Sequence, residues 1–260
     1  MFAFMEREVL ESIRARLSKA KRVVFLGGAG VSTASGIPDF RSEEGIAKTT
    51  ERYGIPYETI LSHRFFFEHT DLFYDFYWSS MVHEDAKPNL AHRVLKEYGD
   101  RHILFIVTQN IDGLHELAGS QRVIPVHGTI HSYTCTGCGR KATLDEIPHH
   151  GVPMCPICHA PFKPDVVLYG EPLGEEELMG AKAATEYADA LIVGGTSLQV
   201  YPINALPRFF SGSLSILINR DETPLDDRFD FVIHEDVGTA LAAILEGLCW
   251  DILFGISASS

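Results

Sequence analysis

No stretch of the 260-residue sequence reaches the about 20 consecutive apolar residues that a membrane-spanning helix needs, so no membrane partner is expected. Clustered basic residues are absent too: 22 Lys and Arg stand against 35 Asp and Glu, a formal net charge of −13. Affinity for a nucleic-acid backbone rests on clustered cations, which excludes nucleic acid as the primary partner. An acidic surface remains compatible with a basic protein partner. No cationic segment precedes the apolar Met1 to Met5, and Glu6, Arg7 and Glu8 follow at once, so no secretion signal is expected. There are only five cysteines, and four of them form two close pairs, a pattern that points to metal ligation in a reducing cytoplasm rather than to disulfides. Neither an internal repeat nor a low-complexity linker divides the chain, whose length suits one large domain with a small insertion.

What is present is a series of short apolar runs, each ending in glycine or polar residues. Val23 to Leu26 is rich in β-branched residues and stops at Gly27 and Gly28, as a buried parallel strand does when it feeds a tight turn. Gly28 and Gly30 put no side chain between backbone and ligand, and Ser32 and Thr33 suit the cap of a following helix. A strand, a glycine turn and a helix N-terminus together present N–H groups and a positive dipole end to a pyrophosphate. The dinucleotide fingerprint is incomplete, because Thr33 stands where its third glycine belongs. Pro38, Asp39, Phe40 and Arg41 then interrupt the helix that a hydride-transfer enzyme would continue.

Further runs follow the same plan. Ile103 to Val107 leads into Thr108-Gln109-Asn110-Ile111-Asp112-Gly113, and Val123 to Val126 leads into His127-Gly128. Leu191 to Val193 ends at Gly194-Gly195-Thr196-Ser197, and Leu214 to Ile218 ends at Asn219. Five strands thus deliver polar groups to one sheet edge, where open α/β folds bind ligands. Helical spacing marks residues 5–20, Asn89 to Tyr98 and Glu175 to Ala188, and Asp165 to Tyr169 reads as strand. The aromatic stretch from Phe65 to Trp78 reads chiefly as the core of a small helical subdomain. Cys249 reads as a buried small hydrophobe in a C-terminal helix, and the tail from Gly255 as frayed.

Cys135-x-x-Cys138 and Cys155-x-x-Cys158 are two knuckles, each offering two thiolates, and together they complete a tetrahedron around Zn²⁺. Four thiolates close the coordination shell, so the metal is expected to be structural. His131 and His159 nearby read as surface residues.

Taken in order, Gly28 to Ser32, Gly36 to Arg41, Thr108 to His115, His127-Gly128, the four cysteines, Pro164 to Glu171 and Gly195 to Pro202 resemble the sirtuin family of NAD-dependent protein lysine deacylases. The resemblance covers residues 22 to 245, and the wording of Val31 to Ser35 and Asp39 to Ser42 is most similar to sirtuins of Gram-positive bacteria. It implies a Rossmann-like α/β parallel-sheet domain (roughly 1–41, 88–130 and 164–260) with a helical module (42–87) and a zinc-ribbon module (131–163). It also implies a reaction between NAD and an acyl-lysine-bearing protein or peptide. The acyl oxygen attacks C1′ of the nicotinamide ribose, nicotinamide leaves, and a histidine base activates a ribose hydroxyl against the resulting alkylimidate. Lysine and O-acyl-ADP-ribose are released.

Residue by residue, the resemblance makes His127 the base, and imidazole suits proton transfer near neutral pH. Asn110 assists at the ribose, Gln109 contacts it, and Ile111 and Asp112 help form the nicotinamide pocket. Gly28, Ala29, Gly30, Ser32 and Thr33 form the dinucleotide turn. Asp39 and Phe40 belong to a loop that seats nicotinamide, and Arg41 supplies charge near the phosphates. Gly195, Thr196, Ser197 and Asn219 face the adenosine half, and Asp236 and Val237 close the adenine site. Val166, Val167, Leu168 and Tyr169 form the strand that pairs with the substrate backbone.

The chain departs from the family at Lys163 for Arg, Leu168 for Trp and Tyr169 for Phe, changes that bear on substrate preference. Succinyl-removing sirtuins carry a Tyr and an Arg three residues apart, whereas Tyr77 here has Ser80 at that offset. A neutral acyl group, acetyl or longer, is therefore expected. Transfer of ADP-ribose to a protein side chain would use the same machinery, and product analysis separates the two.

Overall fold

The computed structural model describes residues 6–39 and 52–245. Phe40, Arg41, Cys249 and the tail from Gly255 lie outside the described residues.

Six strands form one parallel sheet: β1 (Arg22–Gly27), β2 (Ile103–Thr108), β3 (Val123–Pro125), β7 (Ala190–Gly194), β8 (Leu214–Ile218) and β9 (Phe231–Ile233). Their order across the sheet is β3-β2-β1-β7-β8-β9. The continuous apolar runs arise because successive side chains of a parallel strand face opposite, equally covered sides. Val23 and Phe25 join the core beneath α1 (Arg7–Leu17), α5 (Leu90–Gly99) and α8 (Val237–Leu245), whereas Val24 and Leu26 join the core that includes Ala181 of α7 (Glu175–Glu186) and Leu206. These four β1 side chains are at most 1% exposed. Burying each stabilises the fold by about 1.5–3 kcal/mol. Among the described residues, no helix is long and apolar enough to cross a membrane.

The chain builds outward from β1 to β3 on one side, then returns to build β7 to β9 on the other. The order therefore reverses between β1 and β7, and open sheets of this kind bind ligands at that switch point. The strand β9 was not legible in the sequence, because three residues between charged neighbours carry no usable periodicity.

A second, antiparallel sheet is ordered β5-β4-β6, from β4 (Gly128–Cys135), β5 (Lys141–Thr143) and β6 (Phe162–Val166). The expected zinc segment 131–163 lies inside this sheet, which reaches a few residues beyond it at each end. Against it pack three short helices, α2 (Tyr57–Ile60), α3 (His63–Glu68) and α4 (Thr70–Ser80). Phe66, Phe73, Tyr74, Phe76 and Tyr77 share one core with Ile130, Tyr133, Leu144 and Phe162. Tyr74 donates its hydroxyl hydrogen to the Phe162 carbonyl at 2.5 Å, and Trp78 stacks on Tyr133 at 6.2 Å between centroids. Core packing is thus the outcome for most of the aromatic stretch. Phe67 is the exception, 53% exposed.

Two expectations are corrected. The strand near Asp165 begins and ends earlier, at Phe162 and Val166, because the amides beyond it bond to irregular partners described below. After Gly28 there is no α-helix but two 3-10 turns, Ala29–Val31 and Thr33–Ser35, stopped by Gly36 at φ +83°. Neither Ser32 nor Thr33 makes a capping hydrogen bond there.

Candidate functional site

Because the six strands are parallel, their C-terminal ends deliver the glycine turn, Gln109 to Asp112, His127, Gly195 to Ser197, Asn219 and Asp236 to one edge. The loops after β1 and β7 touch directly at the switch point. Gly28 N–H donates to the Gly194 carbonyl (3.2 Å) and Gly30 N–H to the Gly195 carbonyl (2.9 Å). A Cβ on Gly30 would stand 2.8 Å from the Gly195 Cα, and one on Gly28 would stand 2.8 Å from the Gly195 carbonyl oxygen. Glycine is therefore required here for loop-to-loop approach. The amides of Val31 and Ser32 also bond within the turn, to Gly28 and Ala29, so the sequence-based picture of a turn full of free N–H groups is corrected.

The polar centre lies on the β2 side. Asn110 Nδ2 donates to Ser32 Oγ (3.0 Å), and Ser32 donates to Asp112 Oδ2 (2.6 Å). The other Asp112 oxygen accepts the Leu114 N–H at 2.9 Å, which starts the short helix α6 (Leu114–Leu117). Ser32 thus links the glycine turn to the Asn110–Asp112 segment rather than capping a helix. Gln109 bonds through its backbone N–H to the Gly27 carbonyl and through Nε2 to Thr196 Oγ1 (3.1 Å), tying the ends of β1, β2 and β7 together. Ile111 is partly buried against the aromatic core, and its carbonyl accepts the Ile130 N–H.

His127 sits beside this segment with Nδ1 at 3.0 Å from the Gln109 carbonyl oxygen. A carbonyl only accepts, so Nδ1 carries the hydrogen and the neutral ring leaves Nε2 with a bare lone pair. Burial pushes the His127 imidazole below its ordinary value of 6.5, and the Gln109 hydrogen bond opposes that shift without cancelling it. The ring therefore stays predominantly neutral at pH 7.

On the β8–β9 side, Asn219 donates Nδ2–H to the Asp221 carbonyl. Asp236 accepts from Thr239 N–H at 3.0 Å and pairs with Arg220 at 3.1 Å, while Val237 is buried beside Gly194. Asp236 and Val237 hold the start of α8, and among the described residues no hydrogen bond joins them to the Asn110 centre. Ala29, Thr33 and Ser197 stand half-exposed on the edge, where Thr33 Oγ1 donates to the Gly30 carbonyl. Asp39 is the last described residue of its loop.

The expected substrate strand lies between His127 and the helical module. Val166 pairs with Gly128, Val167 N–H donates to the His127 carbonyl, Leu168 N–H to Glu171 Oε2, and Tyr169 N–H to the Leu61 carbonyl. The amides of Val167 to Tyr169 are thus satisfied within the chain. Lys163, in place of Arg, directs its ammonium to the Pro164 and Val166 carbonyls and to Glu171 (3.1 Å). Three acceptors in different directions suit an ammonium better than a planar fork. Burial alone would raise the Glu171 carboxyl, but bonds from Leu168, His63 and Lys163 hold it below its ordinary value. Leu168 is buried, and Tyr169 is half-exposed beside Tyr57.

The four cysteine sulfurs lie within 4.8 Å of one another, with Cys135 to Cys158 at 3.3 Å and Cys138 to Cys155 at 3.8 Å. Tetrahedral zinc–thiolate bonds of about 2.3 Å place sulfurs about 3.8 Å apart, so the donor set fits Zn²⁺. Amides of Gly137 and Cys138 point at the Cys135 sulfur, and those of Ile157 and Cys158 at Cys155, stabilising thiolates. His159 is exposed, as expected. His131 is exposed too, but its Nε2 lies 3.1 Å from the Asp112 carbonyl and its ring fills the space beside Gly113.

The Sir2 family model matches residues 28–202. The chain belongs to the Sir2 family. Similar sirtuins include the NAD-dependent protein deacetylase of Clostridium tetani, 44% identical over 92% of this chain and 98% of the relative. That of Staphylococcus aureus is 36% identical over 92% and 99%. Among solved structures, a Sir2 homologue in complex with NAD superposes with a TM-score of 0.82 at 32% identity, covering 94% of each chain. A Sir2 protein with a deacetylated peptide and 3′-O-acetyl ADP-ribose superposes at 0.83 with 34% identity, covering 92% of this chain and 98% of that one.

Sequence reading did not single out Asn89, which donates Nδ2–H to the Val31 carbonyl (2.8 Å) and to Ser35 Oγ (2.9 Å) and so fixes the glycine turn from behind. Its position just before an apolar-periodic helix was the available signal. The buried rings of His92 and His115 behind the same turn carried no comparable signal.

Proposed function

We propose that this sirtuin removes acetyl or other neutral acyl groups from protein lysine side chains in an NAD-dependent reaction that releases nicotinamide and O-acyl-ADP-ribose, with His127 as general base. The observation that carries this reading is the His127 ring: Nδ1 is anchored on Gln109, Nε2 is bare, and both stand beside the Asn110–Ser32–Asp112 chain. NAD, when bound, supplies an electrophilic ribose carbon and a leaving group. The edge fits it: Gln109, Asn110, Thr196, Ser197 and Asn219 offer amides and hydroxyls along the switch point. Asn110, oriented through Ser32, assists at the ribose, and His127 Nε2 accepts the proton of a ribose hydroxyl. Asp112 and Ile111 shape the nicotinamide end, together with the Asp39–Arg41 loop. Val166 to Tyr169 line the acyl-lysine backbone, with the thiol set holding Zn²⁺ away from the chemistry.

The neutral-acyl preference is supported by the surroundings of Tyr77, which is fully buried among Phe73, Tyr74, Trp78 and Tyr133, with Ser80 buried as well. A succinyl carboxylate buried against such rings without a cation would cost about 3–5 kcal/mol. A related Sir2 structure is bound to a propionylated peptide. Mass analysis of acetyl-peptide and NAD incubations tests the activity. O-acetyl-ADP-ribose supports it, whereas ADP-ribosylated protein without deacetylation would favour ADP-ribosyl transfer. On matched peptides, a higher kcat/KM for succinyl- than for acetyl-lysine would overturn the acyl assignment.

A further inference from the structure

Behind the Asn110–Ser32–Asp112 chain lie two histidines that the reading above does not use. His92 and His115 are 0% and 1% exposed, with ring centroids 4.6 Å apart. His92 Nδ1 accepts the Asn89 N–H at 3.2 Å, so the neutral ring carries its hydrogen on Nε2. That Nε2 and both His115 nitrogens meet no hydrogen-bonding partner among the described residues. Burial holds both rings neutral, His92 down to about 4 and His115 to about 3. Buried ring nitrogens seldom stay unpartnered, so the couple carries polar groups into the core and is not apolar filling.

Its place in the fold gives the couple a purpose. His92 stands one turn into α5, whose cap residue Asn89 holds the Val31 carbonyl and Ser35 Oγ of the glycine turn. His115 stands on α6, which is started by Asp112. The two rings therefore meet where the support of the glycine turn touches the support of Asp112. Ser32 joins the same two segments on the ligand side.

We infer that His92 and His115 are positioning residues that set the distance between the glycine turn and Asp112, and with it the nicotinamide end of the pocket. This rests on the proposed placement of NAD. Among the described residues, the adenosine side, on β7 and β8, makes no hydrogen bond or ring contact with the couple, and it is expected to be indifferent to it.

The test compares NAD with ADP-ribose, which lacks nicotinamide, by calorimetry on the full chain. For His115→Phe, the Kd for NAD rises about tenfold while that for ADP-ribose stays within about twofold, and His115→Gln, which keeps a polar group, recovers NAD binding to within about threefold. If His115→Phe does not fold, His115→Gln and His92→Gln carry the same test, each weakening NAD about threefold with ADP-ribose unmoved. Equal weakening of both ligands would reduce the couple to a general core role, and no change in either would make it inert; each overturns the inference. These readouts need no turnover. A wild type that binds both ligands but makes no O-acetyl-ADP-ribose would refute the deacylase reading and leave the binding split standing.

Discussion

In the parallel sheet, each core strand is covered on both faces, and Val23 to Leu26 are sealed between helices before any ligand is considered. In the smaller half the helices that pack on the sheet are four, six and eleven residues long, and one core is assembled from rings of three helices and the cysteine-bearing sheet. Cys135 and Cys155 are themselves members of that core. The difference teaches that the two sides of the site have different sources of rigidity. The proposed dinucleotide side is fixed by strands and by hydrogen bonds between strand-end loops, whereas the proposed acyl-lysine side depends on aromatic packing and on a knuckle of four clustered thiols.

The largest expected effect breaks this comparison open. Stripping zinc with a chelator, or Cys155→Ala, removes a staple of the core to which Cys135 and Cys155 belong. Hydrogen exchange should then lose protection in Gly128–Cys135, Phe162–Val166 and Thr70–Ser80, while Arg22–Gly27 and Leu214–Ile218 stay protected. Uniform loss across both sheets would contradict the division.

Next comes the junction between the two sheets. Gly128, directly after His127, has φ +80°, and a Cβ there would overlap the Asp165 carbonyl oxygen. Gly128→Ala should destabilise the protein by about 2–4 kcal/mol, combining left-handed strain with overpacking. Denaturant titration checks this, and a change below about 1 kcal/mol would mean that the backbone relaxes there freely.

A smaller effect sharpens the dinucleotide side. Asn89→Ala removes the helix cap and the two bonds to the glycine turn, costing about 1–2 kcal/mol. The KM for NAD should rise while the KM for the acyl-peptide stays nearly constant. Equal shifts in both would show that the turn is not held from behind by Asn89.

The smallest effect is on pH. His127 binds its proton less readily in the fold than when exposed, so its basic form persists below its ordinary value of 6.5. The acid limb of kcat/KM should therefore fall below pH 6.5. For stability, Glu171 has the opposite-sign group but the same direction: its lowered value contributes stabilisation above pH 4.5 that is lost as pH falls further. An acid limb above 6.5 would contradict the burial assigned to His127.

Much of this arrangement was legible in the sequence, for reasons that differ by region. Val23 to Leu26 and Leu214 to Ile218 announce themselves because two-sided burial demands unbroken apolar runs, and their ends place the site residues. The cysteine spacing fixes the knuckles because four thiolates have few ways to surround one ion. Phe231–Ile233 is too short to show a pattern. The 3-10 turns after Gly28 were hidden because contacts with Gly194 and Gly195, far along the chain, decide how the turn closes. Likewise, Val167 to Tyr169 read as strand by residue type, yet their amides go to His127, Glu171 and Leu61, which only the assembled fold brings together. Asn89, His92 and His115 act from behind the site, where residue type alone does not separate support from ordinary packing.

The central claim is that the edge is organised around a neutral His127 with a bare Nε2. The most direct measurement is turnover of acetyl-peptide with NAD by wild type and His127→Ala, alongside calorimetric NAD binding to both. The account predicts that the variant binds NAD within about threefold of wild type and loses at least about a hundredfold in formation of O-acetyl-ADP-ribose. Substantial deacetylation by His127→Ala, with NAD bound normally, would contradict it.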